Sequence, residues 1–173
     1  MDRVSLERAV RDGTIDLGIA LLSNVSRSHR YGQHTLVRSR RRVWVGATHP
    51  LAGQTSVTLA EIAQHPYIVL QVDDAEEAAL RHWPDGGESL KIAMRTSSIE
   101  ALRGLVAHGF GVSILSDLVY RPWSLEGKKI LALTVEDPLD PMDVGLLWST
   151  EKEPRGLADS FRQFLIQACD AQN

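Results

Sequence analysis

KIAMRTSSIEALRGLVAHGFGVSILSD, residues 91–117, reads as strand, helix and strand with every joint marked. Ile92 and Met94 alternate with polar neighbours from Lys91 to Arg95, the period-two pattern of a strand. Ser97 stands three residues before Glu100, the spacing of a capping box in which the hydroxyl takes a first-turn amide and the glutamate reaches back. Ile99, Leu102, Leu105 and Val106 then share one helical face. Gly109 offers the left-handed stop, and the run from Gly111 to Leu115 starts a buried strand. Thr96, Ser97 and Ser98 therefore sit where a strand ends and a helix begins. In open α/β sheets that joint binds ligands, because free amides and the positive end of the helix dipole point outward together. Read alone, the same residues also describe no more than a well-capped helix.

Working outward, the chain of 173 residues has 43% hydrophobic and 24% charged residues, values of an ordinary globular protein with room for a core. A formal net charge of −3 disfavours sequence-independent binding to nucleic acid or anionic membrane. A single cysteine, Cys169, excludes an internal disulfide and any CxxC motif. The charged N-terminus lacks a signal-peptide core and no apolar run reaches the ~18 residues of a membrane span, so the expectation is a cytoplasmic protein with no membrane partner.

Before the central stretch, Val4 to Asp12 reads as an amphipathic helix closed by Gly13. Ile15 to Leu22 reads as a nearly continuous apolar strand of the kind buried in a parallel sheet. His34 to Ala47 reads as one extended strand. Its run of Arg38, Arg40, Arg41 and Arg42 is read as a solvated edge using charge to block aggregation, since no aromatic platform accompanies it as nucleic-acid binding would need. Breaks follow at His49-Pro50 and at Asp137-Pro138. Between them Thr58 and Glu61 form a second capping-box pattern, Tyr67 to Gln71 reads as a buried strand, and Asp73 to Trp83 as a helix with a solvated acidic start. Lys129 to Leu133 and Val144 to Trp148 read as strands. Pro154 to Cys169 reads as a closing helix with Leu157, Phe161, Phe164, Leu165 and Ala168 on one face.

Catalytic chemistry is missing from this pattern. The six histidines fall at no metal-pair spacing, no nucleophile elbow is present, and Gly109-Phe110-Gly111 follows a helix, the reverse of the dinucleotide fingerprint order. No catalytic residue, metal or cofactor is expected, and the chain is not read as an enzyme.

Several motifs occur in order along nearly the whole chain. They are Asp12-Gly13 with Asp16 to Ile19, then His49-Pro50-Leu51, then Leu59 and Ile62 before Pro66-Tyr67-Ile68, then the helix from Ile99 through Gly109 to the strand ending at Leu115. Together they resemble the effector-binding domain of LysR-type transcriptional regulators. Ser116 stands where that family usually has proline. The resemblance implies an α/β, two-lobe fold like that of type 2 periplasmic binding proteins, with a ligand cleft. Residues 1–47 and 135–173 would form lobe I and residues 48–134 lobe II. It also implies an N-terminally shortened chain, without the family's winged helix-turn-helix and the first strand–helix–strand of lobe I. DNA would then be reached only through that absent domain.

The expected function is to sense a small-molecule effector, a carboxylate or another anion, and so to control transcription in the full-length parent. The alternatives are a transporter's solute-binding protein and, less favoured, an enzyme on the same fold. The expected ligand contacts are Thr96, Ser97, Ser98 and Ile99, faced by Ala20, Leu21 and Leu22 as an apolar wall. The helix is taken to commit Ser97 to its cap, leaving Thr96 and Ser98 for the ligand. The family pairs its sensor domains into homodimers and tetramers through the helix that holds Leu102, Arg103, Leu105, Val106 and His108. That pairing is expected to be weakened or replaced here, because its lobe I counterpart is the element absent.

Overall fold

The computed structural model describes residues 1–25, 29–72 and 75–170. Asp73 and Asp74, the expected acidic start of a helix, lie outside the described residues. The chain forms two compact units, residues 1–39 with 142–173, and residues 40–141.

Unit 1 opens with α1 (Arg3–Arg11), whose first turn is capped by Asp2, the carboxylate accepting from the Ser5 amide at 2.9 Å. Its inner face carries Val10 and, unforeseen in the sequence, Glu7, which is buried because Arg3 reaches it at 2.5 Å. Val4 points to solvent instead. Three strands follow: β1 (Gly18–Leu21), β2 (Tyr31–Ser39) and β9 (Met142–Ser149), in the order β1-β9-β2 with both pairings antiparallel. The buried parallel strand expected over Ile15 to Leu22 is thus corrected to a four-residue strand paired on one side, with Ile19 60% exposed. Gly145 lets the three strands meet: a Cβ there would lie 2.2 Å from the His34 carbonyl oxygen. The closing helix α5 (Leu157–Asp170) forms as read, and Phe161 and Phe164 on its apolar face are exposed.

Unit 2 is built on β3 (Arg41–Gly46), which lies inside a sheet of order β4-β8-β3-β7. Its neighbours are β7 (Ser113–Ser116) and β8 (Ile130–Val135), both antiparallel to it, and β4 (Ser56–Val57) pairs parallel with β8. The single strand expected from His34 to Ala47 is therefore two strands in different sheets, broken at Arg40. Because β3 bonds only to strands of unit 2, the units separate at 39/40 and 141/142 instead of 47/48 and 134/135. Alternation along β3 buries both of its faces. Val43 and Val45 join one core with Tyr67, Ile62 and Trp83, while Trp44 joins another with Ile68, Leu102, Val106 and Ile130.

The first core is covered by α2 (Leu59–Ile62) and α3 (Ala75–Leu80). The capping box on α2 is as read: Thr58 N donates to Glu61 Oε2 at 2.7 Å and Glu61 N to Thr58 Oγ1 at 3.2 Å. Parallel strands β5 (Tyr67–Leu70) and β6 (Ile92–Thr96) pair with each other, and Tyr67 bridges Val112 at the entry to β7. Helix α4 (Ile99–Ala107) thus crosses β5 between β6 and β7 and covers the Trp44 side. It approaches β3 so closely that a Cβ at Gly46 would sit 2.7 Å from the Val106 carbonyl oxygen. Gly109 ends α4 at φ +80°, as its sequence position requires.

Candidate ligand-binding site

The joint between β6 and α4 brings Thr96, Ser97 and Ser98 to the start of a helix. Gln71 N donates to the Thr96 carbonyl at 2.7 Å, which fixes the end of β6 against β5. Ser98, not Ser97, is the N-cap: its hydroxyl accepts from Ala101 N at 3.2 Å and its carbonyl from Leu102 N at 3.0 Å. Thr96 Oγ1 in turn accepts from Ser98 N at 3.1 Å. This corrects the assignment of Ser97 as cap, and the reason lies at Glu100. One residue too early for the reciprocal bond, Glu100 turns instead to the guanidinium of Arg103, which holds its carboxyl below the usual range.

The cap leaves the Ser97 hydroxyl exposed and without a hydrogen bond among the described residues. The amides of Ile99 and Glu100, ahead of the first helical bond, also have no partner among the described residues. Both point along the positive end of a nine-residue helix. Roles therefore exchange: Ser98 supports the helix, and Ser97 offers the free donor.

In unit 1, Ala20 and Leu22 pack onto the core around Val10, Val25 and Leu147, so the alternation of β1 turns Leu21 the other way, with Ile19. Of the expected apolar wall, Leu21 is the side chain not spent on that core. On α4, Leu102, Arg103 and Val106 are buried in unit 2 itself, and Arg103 is 2% exposed. Its Nη2 donates to the Val119 carbonyl at 2.8 Å and its guanidinium lies 5.7 Å from the Trp44 ring centroid. These three residues cannot form the expected dimer contact. Leu105 and His108 lie nearer the surface of the same helix.

Among the described residues no cluster of three or more metal-ligating side chains occurs, and no helix is long and apolar enough to cross a membrane. The arginine run is a solvated edge only at Arg38, which is exposed on the edge strand β2, whereas Arg41 and Arg42 begin the inner strand β3. Arg38 forms a two-pronged pair with Asp143 at 3.0 and 2.9 Å, while Arg42 pairs with Asp117 at 2.6 Å and lies over the Tyr120 ring.

The geometry can be set beside known proteins. The chain is 27% identical over 119 residues to the "RuBisCO operon transcriptional regulator" of Allochromatium vinosum, a match covering 68% of this chain and 39% of that protein. The chain thus spans well under two thirds of that relative's length. Among solved structures, HinK, a LysR family transcriptional regulator from Pseudomonas aeruginosa, matches with a TM-score of 0.85 at 21% identity, over 100% of this chain and 59% of that one. The effector-binding domain of QuiR in complex with shikimate matches with a TM-score of 0.79 at 19% identity, over 99% of this chain and 79% of that one. These likenesses show the two-lobe, periplasmic-binding-like α/β fold. The LysR substrate binding domain family matches residues 1–170, and this chain belongs to it.

Proposed function

We propose that this chain is the effector-sensing part of a cytoplasmic LysR-type transcription regulator, controlling DNA binding by its parent and catalysing no reaction. The effector is a small molecule with a carboxylate or another strongly accepting group. Its acceptor is received by the amides of Ile99 and Glu100 and by the Ser97 hydroxyl, with Thr96 and Ser98 shaping the seat.

The observation that carries the proposal is the pair of unbonded amides, Ile99 and Glu100, at the start of α4 beside an exposed serine, since a helix N-terminus stabilises negative charge through its dipole and free donors. The shikimate-bound QuiR domain supports it as a case of the same fold holding a small molecule. Homodimerisation of the parent is part of the proposal, by a surface that excludes Leu102, Arg103 and Val106.

Titration calorimetry with a panel of small carboxylates tests it. Ser97→Ala should weaken the best binder by about 1 kcal/mol, or somewhat more for a charged acceptor. Equal affinity in wild type and in a Thr96→Ala/Ser97→Ala double variant would show that the seat is misplaced.

A further inference from the structure

The arginine run has a consequence apart from the α4 site. Arg40, Arg41 and Arg42 all line one cavity of about 400 Å³, together with Asp117, Thr134 and Asp137. It lies where β3 begins and β8 ends, and these strands are antiparallel, so the sheet stops there and residues of both faces reach the same opening. Arg40 and Pro141, the first and last residues of unit 2, both belong to its lining.

The charges in that lining are unequally committed. Asp117 is taken by Arg42 at 2.6 Å, and Asp137 accepts from the Leu59 amide at 2.7 Å, which ties it to the start of α2. Arg41 donates through Nε to the Asp140 carbonyl at 3.1 Å and makes no other hydrogen bond or ion pair among the described residues. Its two Nη groups are therefore a planar pair of unused donors on a half-buried cation, and burial pulls its pKa down. Three guanidiniums face two carboxylates that are already engaged. A desolvated guanidinium with a free fork is matched by a carboxylate or a phosphate, which accepts two parallel bonds and restores the lost solvation.

We propose that this cavity is a second anion-binding site, separate from the α4 seat, in which Arg41 is the principal donor to a small oxyanion, carboxylate or phosphate. Two probes distinguish these sources: inorganic phosphate and malonate, each added at constant ionic strength with chloride as the balancing ion. The readout is the Arg40, Arg41 and Arg42 Nε–Hε resonances of the whole chain labelled at arginine, with Arg40 and Arg42 reporting binding where Arg41 is replaced. The expected result is a saturable shift with at least one probe, and a tenfold or greater loss of affinity in Arg41→Gln. Thr134→Glu should produce the same loss, because it sets a carboxylate among the arginines from an exposed position and leaves β3 intact. Thr96→Ala/Ser97→Ala should leave this binding unchanged, which keeps it distinct from the function proposed above. No saturable shift with either probe, or affinity preserved in Thr134→Glu, would overturn the proposal, and the second outcome decides even if Arg41→Gln folds poorly.

Discussion

Two adjacent serines show how fine the residue scale is. Ser97 and Ser98 are chemically identical, and the spacing of Ser97 to Glu100 points to the wrong one, because the buried Arg103 captures the glutamate before it can close a capping box. Ser98→Ala should therefore lower stability by roughly 0.5–2 kcal/mol, with Ser97→Ala nearly neutral, as read by chemical denaturation. The reverse ranking would restore Ser97 as the cap. Glu100 makes a second, pH-dependent claim. Its folded pKa lies below the unfolded value of 4.5, so its contribution is fully present above that value and is lost as pH falls through the folded pKa. Stability measured from pH 6 to 3 should fall less steeply in Glu100→Gln than in wild type.

At the scale of elements, the α4 region was legible because every marker in it is local: alternation in β6, a cap, an apolar face and Gly109. The capping box of α2 was legible for the same reason. Pairing was not, since IDLGIALL has the composition of a buried parallel strand but lies antiparallel against β9 with one side unpaired. The arginines of β3 also mislead, because a strand that begins with two cations reads as an edge although Val43 to Val45 are central core. Helix α5 makes the point energetically. Its apolar stripe suggests a buried face, but Leu157 is 91% and Phe164 61% exposed. Phe164→Ser should change the thermal stability of this chain by no more than about 0.5 kcal/mol. A loss of several kcal/mol would mean that the stripe is packed after all.

At the scale of the whole molecule, the ordered motifs carried the family and fold further than any single element could, whereas the boundaries at 39/40 and 141/142 depend on strand partners invisible in sequence. Acid sensitivity is also a property of the whole. Burial lowers the pKa of His82 to about 4 and lowers that of His49, so His82 is held neutral, and His49 binds less proton, where the unfolded chain, with a value of 6.5, takes up protons. The unfolded state binds more protons in that window, so stability should decline as pH falls from about 6.5 towards 4. His82→Gln should flatten this part of the curve, and an unchanged slope would place the sensitivity elsewhere.

The central claim, that the start of α4 receives the acceptor group of an effector, is met most directly by amide chemical shifts. The chain would be titrated with the best-binding carboxylate and then with its neutral amide analogue. The account predicts saturable shifts at the amides of Ile99 and Glu100 with the carboxylate, several-fold weaker with the amide, and reduced by Ser97→Ala. Saturable binding of the carboxylate that leaves both amides unmoved would contradict it.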